Sequence, residues 1–366
     1  MKLTTNRETL LNPLQAVTGV VERKQALPIL SNLLVIADGE GLTITATDME
    51  VEAVARIKVP VKEGGTTTLP ARKLIDICRS LPEGSEVIVE TKEGKATIKS
   101  GRSRFVLATL PSGEFPVVGD TQPFLEVKIP ALQLRNLIGS TQFAMAYQDI
   151  RYYLNGLLLE FSDQHIRAVA TDGHRLALSD VEWKTGAAEV LQIIVPRKGV
   201  GELSRLLGDS EQEATLQVSH NHLRVVVEDR AITTRLVDGK FPDYLRVLPI
   251  KGDKIVIAER EALKQGLART SILSNEKFRG VRINLANGIV RALAHNPEHE
   301  EAEEEIAVTY EGPDLEIGFN VVYLLDVLSV IRTEKVHLEF TGSDRSCLIQ
   351  PEGDAASKYV VMPMRL

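Results

Sequence analysis

Residues 168–181, AVATDGHRLALSDV, have an echo on each side at the same distance along the chain. Upstream, residues 44–54 read ITATDMEVEAV, and downstream, residues 290–301 read VRALAHNPEHEE. From Thr47 to Thr171 and from Thr171 to His295 the spacing is 124 residues each time. A period of that size is a domain, so the chain is expected to hold three copies of one fold. Other landmarks keep the beat. TLPARK at 68–73 opens the apolar run LIDICRSL, IVPRK at 194–198 opens GVGELSRLL, and Asn320 opens NVVYLLDVLSVI. LPSGEFP at 110–116 is answered by LVDGKFP at 236–242. The repeats are therefore placed at 1–122, 123–250 and 251–366.

Within a repeat the hydrophobic period switches between helix and strand. Leu10, Leu11, Leu14 and Val17 have helical spacing, which predicts an amphipathic helix over about 7–20. LLVIA and LTITAT follow as paired strands around an Asp38-Gly39 turn, and VEAVARIKVPV continues them. A second helix is expected from Pro70, with proline in its first turn. EVIVET, ATIKS and RFVLATL complete the first copy. The second copy predicts helices over about 130–145 and after Pro196, and the third over 259–271 and from Asn320. Asn287-Gly288 reads as a hairpin turn. Each repeat is α+β, two helices against antiparallel sheet.

Function classes can then be narrowed. The 366 residues are 43% hydrophobic and 25% charged, ordinary for a soluble globular protein. No stretch reaches 18 consecutive apolar residues and no signal-peptide pattern opens the chain, so a cytosolic protein is expected. Cys78 and Cys347 sit singly in apolar runs, without the paired spacing of a zinc site, and read as buried thiols. No P-loop, dinucleotide fingerprint, HExxH motif or nucleophile elbow occurs. Asp172 and His174 are the one tempting catalytic pair, and a hydrolase built on them is a rival reading. Without a framed nucleophile it is not preferred.

The net charge of −7 argues against a protein that grips nucleic acid over its whole surface. Yet basic groups recur on the helices: Arg72, Lys73 and Arg79, then Arg197, Lys198 and Arg205, then Arg332 and Lys335, with Arg135, Lys264 and Arg269 on the first helices. They could form one basic surface inside an acidic body, meeting phosphates without reading sequence. The chain ends are charged oppositely. SGRSRFVL at 100–107 is basic, with Phe105 and Leu107 alternating, while 298–305 carries six glutamates and reads as a solvated loop. That polarity suits a head-to-tail contact between two chains, which closes into a ring if the rotation permits. The ending YVVMPMRL brings two methionines around Pro363, an adaptable apolar surface of the kind that accepts several partners.

The repeats, with the strings TDGHRLA, IVPRKG, RYYLNG, LVDGKFPDY, NEKFRGVR and EIGFNV, make the whole chain similar to the bacterial replicative sliding clamps, the β subunits of DNA polymerase III. The resemblance implies a head-to-tail dimer of three-domain chains, a six-domain ring with sheet outside and twelve helices around a hole. Helices about 8–10 Å apart would leave an opening of roughly 20–28 Å, near the cross-section of duplex DNA. It implies a non-catalytic processivity factor with no cofactor or metal. The DNA-facing positions would be Lys24, Arg72, Lys73, Gln148, Tyr152, Tyr153, Arg197 and Lys198.

By the same resemblance, one wall of a partner-peptide cleft comes from Leu154, Thr171, Gly173, His174, Arg175 and Leu176, with Pro242, Arg246 and Val247. The other comes from Asn320, Tyr323, Ser346 and Val360, with Met362, Pro363, Met364 and Arg365. Partners would be the replicative polymerase subunit, the clamp loader, translesion polymerases and repair proteins, each inserting a short Gln-Leu-x-Leu-Phe motif. The dimer contact would set Phe105 and Leu107 against Ile272 and Leu273, with Lys73, Arg102 and Arg104 facing Glu298, Glu300, Glu303 and Glu304. A scaffold with the same cleft that holds no DNA is the second rival.

Overall fold

The computed structural model describes residues 1–22, 27–119, 122–249 and 252–365. Six α-helices occur among them, two in each repeat: α1 (Arg7–Val17), α2 (Ala71–Ser80), α3 (Ala131–Gly139), α4 (Arg197–Leu207), α5 (Arg260–Thr270) and α6 (Val321–Val330). Helix α1 starts where the Asn6 side chain accepts from the Thr9 N–H at 2.8 Å, and it buries Leu10, Leu11, Leu14 and Val17 as the spacing predicts. Its continuation to residue 20 tightens into a 3-10 turn. The predicted helices to 145 and 271 likewise end in separate 3-10 turns, Gln142–Ala144 and Ser271–Leu273.

Pro70 and Pro130 stand one step earlier than expected, whereas the fourth helix follows Pro196 as expected. Pro70, Pro130 and Pro196 are the last residues of strands, paired with Asn32, Glu213 and Gly156, and the helices begin just after them. Proline fits there because the end of a strand can dispense with one N–H donor, and its fixed φ turns the chain into the helix.

Contacts divide the chain into two compact units, residues 1–135 with 198–236, and residues 136–197 with 237–366. The division falls inside the second repeat because each repeat gives its strands to two different sheets. In the first unit, Asn32–Asp38, Gly41–Thr47, Val51–Ile57 and Gly65–Pro70 join Leu125–Pro130, Glu213–Val218, His222–Val227 and Arg230–Arg235 in one eight-stranded sheet. Its seam between repeats pairs Val51–Ile57 with Arg230–Arg235. The unit's other sheet has five strands and ends at Ser103–Ala108.

The second unit repeats the plan. Gly156–Ser162, His165–Thr171, Arg175–Glu182 and Leu191–Pro196 join Lys254–Glu259, Lys335–Phe340, Cys347–Pro351 and Ser357–Val361. Here the seam pairs Arg175–Glu182 with Ser357–Val361. A four-stranded sheet ends at Glu301–Ala307. The acidic stretch is thus largely strand where a solvated loop is expected. Backbone pairing with Ile289–His295 holds it, and one residue in seven, Ile306, is buried. Such a strand has no apolar alternation to betray it.

Both cysteines are buried thiols. Burial pushes the Cys78 thiol up to about 11 and raises that of Cys347 further. No helix among the described residues is long and apolar enough to cross a membrane.

Candidate functional site

The TDGHR segment is a self-bonded loop. The Asp172 carboxylate accepts from the backbone N–H groups of His174 (2.9 Å) and Arg175 (3.0 Å), and the Thr171 hydroxyl donates to the Arg175 carbonyl at 2.6 Å. Gly173 turns the corner at φ +90°, and a Cβ there would meet the Arg151 guanidinium at 3.2 Å. Arg175 then fans out beneath the loop. Its Nε donates to Asp172 at 3.1 Å, one terminal nitrogen pairs with Asp326, and the other donates to the Phe143 carbonyl at 2.8 Å. The guanidinium also lies over the rings of Tyr323 and Phe143, at 4.6 and 5.2 Å. Asp172 is thereby occupied in shaping the loop, and the His174 ring stacks on Tyr323. The hydrolase reading finds no oriented acid–base pair here.

Behind this loop lies an apolar cluster in which Leu154, Leu158, Val169, Leu176, Ile194 and Val360 are buried, closed on one side by Phe241 and Tyr244. Leu176 and Val360 are a cross-strand pair of the seam, so the seam itself is the floor. Tyr153, Val237, Val247 and Leu248 pack on the cluster while remaining partly exposed. The chain end runs alongside. The Met362 N–H donates to the His174 carbonyl and the Met364 N–H to the Gly318 carbonyl, both at 2.9 Å. Asn320 caps α6 through Val322 N–H, and Ser346 is half-buried. Val360 and Val361 are core, whereas Met362 and Arg365 are exposed. Burial raises the Tyr323 hydroxyl, and the Asp172 and Asp326 carboxylates add to it while the Arg175 guanidinium opposes.

Sequence reasoning misses several parts of this site. Phe143 and Asp326 hold Arg175 from 32 and 151 residues away, with no local motif. Leu248 lies just past the familiar string.

A second cluster lies in the loop before the middle strands. Asn155 brackets it, accepting from the Asp149 N–H and donating to the Asp149 carbonyl at 2.9 Å each. Hydrogen bonds from Arg151 hold the Asp149 carboxyl down to about 2. Between these anchors Gln148 and Tyr152 are exposed and Tyr153 is half-buried, its ring edge-on to Tyr152. Tyr147 and Ile150 are exposed as well, Ile150 to 95%, and nothing in the sequence pattern singles them out. Arg197 lies over the Tyr147 ring at 5.6 Å and donates to the Met145 carbonyl.

Other expected contacts change. Arg72 and Lys73 are exposed. Lys198 is not a free cation, because its ammonium is paired with both Asp48 and Glu22. Burial pushes that ammonium down, but the two carboxylates outweigh it and leave it raised. Lys24 lies outside the described residues. Ile272 is exposed and Leu273 half-buried, Arg102 and Arg104 are exposed, and Phe105 is half-buried. Leu107, however, is buried in its own sheet. Glu303 and Glu304 point to opposite faces of their strand, Glu303 toward Arg291 and Glu304 toward Arg269, so each has a basic neighbour within the chain. Glu298 and Glu300 are exposed in the preceding loop, where the Glu300 carboxylate accepts from the Asn296 amide.

Three βα repeats joined through shared sheets, with an apolar floor at one seam and a self-bonded loop where an acid–base pair was conceivable, define a docking protein of the clamp fold. Comparison with known proteins gives the same class. The N-terminal, central and C-terminal domains described for the DNA polymerase III beta subunit match residues 1–119, 128–243 and 245–365. The beta sliding clamp of Pseudomonas putida is 52% identical over 367 residues and that of Escherichia coli K12 49% over 368, covering all of both chains in each case. The crystal structure of the Pseudomonas aeruginosa DNA polymerase III subunit beta superposes with a TM-score of 0.97 at 50% identity, again over all of both chains. A Bartonella birtlesii sliding clamp bound to griselimycin does so with 0.97 at 35% identity. The chain belongs to the DNA polymerase III beta subunit family, the bacterial sliding clamps.

Proposed function

We propose that two copies of this chain close head to tail around duplex DNA, and that the seam cleft of each tethers the replicative polymerase and other DNA-processing proteins. The chain is a non-catalytic processivity factor, three repeats divided near 122 and 250; the second division lies outside the described residues. One observation carries the dimer. Both joints between repeats are continuous sheet, while the five-stranded and four-stranded sheets each present, at one edge, a strand of opposite charge, Ser103–Ala108 with Arg102 and Arg104, and Glu301–Ala307 with Glu301, Glu303 and Glu305. Open edges are templates for pairing, and a second copy offers each the edge it lacks. Ile272 supplies an exposed apolar contact.

Enclosure explains an acidic clamp. A closed ring leaves DNA only by opening or at an end, so a few phosphate contacts suffice and sliding stays free. Arg72, Lys73, Arg197, Gln148, Tyr152 and Tyr153 are the proposed contacts, and Lys198 meets a phosphate only by releasing a carboxylate. A tethered polymerase re-encounters its template at high effective concentration, which is processivity. The cleft receives the leucine and phenylalanine of a Gln-Leu-x-Leu-Phe segment as buried anchors. Clamp loader, translesion polymerases and repair proteins are the proposed competitors for it, in the cytoplasm.

The test is retention. Loaded onto circular DNA by a loading enzyme, the protein stays bound until the circle is cut; equal loss from circles and linear DNA leaves only a scaffold. Replacing Ile272 and Leu273 with alanine gives monomers in sedimentation, and an unchanged profile moves the interface elsewhere.

A further inference from the structure

Residues 236–249, which supply Pro242, Arg246 and Val247 to the proposed cleft, contain no strand and depend on a few attachments. Phe241 and Tyr244 are their buried rings, 5% and 4% exposed. Tyr244 alone combines a ring in the cluster with a polar end beyond it. Its hydroxyl donates to the Glu160 carboxylate at 3.1 Å and accepts from an Arg167 guanidinium nitrogen at 2.9 Å. Arg167 is itself fixed by a fork onto Asp180, at 2.8 and 2.9 Å. That pairing raises the guanidinium, and burial raises the Tyr244 hydroxyl, so both keep their protons. The Tyr244 carbonyl in turn accepts from the Val247 N–H at 3.1 Å.

The first repeat shows what this arrangement replaces. There the matching segment follows Phe115, and its Val118 N–H donates to the Glu52 carboxylate at 2.9 Å. By the repeat, Glu52 corresponds to Leu176, Val118 to Tyr244 and Ile36 to Glu160. The second repeat thus has an apolar residue where the first keeps its tether, and a polar tether on the far side of the cluster where the first has isoleucine. A tether outside the cluster leaves the floor free for an apolar anchor.

We propose that Tyr244 and the Asp180–Arg167–Glu160 network behind it position the 242–248 wall of the cleft and so set its affinity for partner peptides. The inference rests on the cleft assignment made above. Tyr244 and Asp180 are positioning residues. Asp180 bonds to Arg167 and reaches the wall only through it, which makes the network testable apart from the ring.

The experiment measures binding of a fluorescent Gln-Leu-x-Leu-Phe peptide to full-length Tyr244→Phe, Asp180→Asn and the double variant, with melting temperature and sedimentation alongside. Tyr244→Phe keeps the ring and is expected to weaken binding roughly fivefold, about what one net hydrogen bond is worth. Asp180→Asn is expected to weaken it about twofold to threefold, and to add nothing in the Tyr244→Phe background. Dimer formation stays as in the wild type. Wild-type affinity in both single variants, or losses that multiply in the double variant, overturns the proposal. Should Tyr244→Phe melt far below the wild type, the partly exposed Asp180→Asn decides the matter on the same terms. Failure of the wild-type protein to bind the peptide refutes the cleft itself, a different result from equal binding by all four proteins.

Discussion

The two seams between repeats are built alike and end in opposite surfaces. Each opens on a Thr-Asp loop. Asp48 accepts from the Glu50 and Val51 N–H groups as Asp172 does from His174 and Arg175, and Thr47 donates to the Val51 carbonyl as Thr171 does to that of Arg175. The loops differ in the cation beside them. Arg175 serves Asp172 from within the loop, whereas Lys198 reaches Asp48 from α4. The seams differ more in their first inward pair. It is Leu176 opposite Val360 in the second and Glu52 opposite Thr233 in the first. An apolar pair leaves a floor that an apolar guest improves. A buried carboxylate already bonded to Val118 leaves nothing for a guest to do. The two seams share a backbone plan and differ in the side chains of this pair, and the proposed cleft rests on that difference.

The largest effect should come from carrying the first seam's residue into the second. Leu176→Glu sets a carboxylate opposite Val360 and is expected to reduce peptide binding by ~100-fold or more, with a loss of about 3 kcal/mol in stability. Fluorescence polarisation and urea titration check both, and retained affinity breaks the link between floor and cleft. Next is Lys198→Met, which leaves the Asp48 carboxylate buried with only its backbone donors. A loss of about 2 kcal/mol in denaturant unfolding is expected. Unchanged stability with poorer retention on circular DNA would make Lys198 a phosphate contact after all.

Glu52→Gln sharpens the contrast through pH. Burial raises the Glu52 carboxyl above its ordinary 4.5, with the Val118 N–H and Arg224 opposing. The folded state then holds its proton more tightly than the unfolded one. The group favours folding most below pH 4.5, and that contribution is lost as pH rises through the raised value. The variant should therefore gain about 1 kcal/mol over the wild type near pH 7.5, a gap that closes towards pH 4.5. A constant gap across that range argues against a raised carboxyl. The smallest effect concerns the loop corner, where Met49 holds φ +78° and Gly173 φ +90°. Met49→Gly is expected to raise stability by about 0.5 kcal/mol, relief of the left-handed strain outweighing the freer unfolded chain. Calorimetry checks the sign.

The repeat, the Thr-Asp loops and the amphipathic helices are legible because local pattern determines them. The spacing that links Thr47 to Thr171 also identifies Glu52 with Leu176, although their opposite roles emerge only with their neighbours. Strand Glu301–Ala307 is not legible in the sequence, since backbone pairing rather than side-chain alternation holds it. The pattern puts Pro70 and Pro130 one residue late, because a strand end and a helix start tolerate proline for the same lack of a donor. The cleft loop could be read from its string, but the supports of Arg175 and Tyr244 come from distant strands. Arg167 is 77 residues from the tyrosine it holds.

Sharing sheets between repeats also sets an order of events during synthesis. Val51–Ile57 leaves the ribosome long before Arg230–Arg235, its seam partner, has been made. At ~5–20 residues per second the first strand waits on the order of ten seconds or more with one flank unsatisfied. Arg175–Glu182 waits similarly for Ser357–Val361, the last strand among the described residues. The nascent chain thus spends much of its birth exposing sticky borders, and a chaperone that shields such borders would have the most to offer in those intervals.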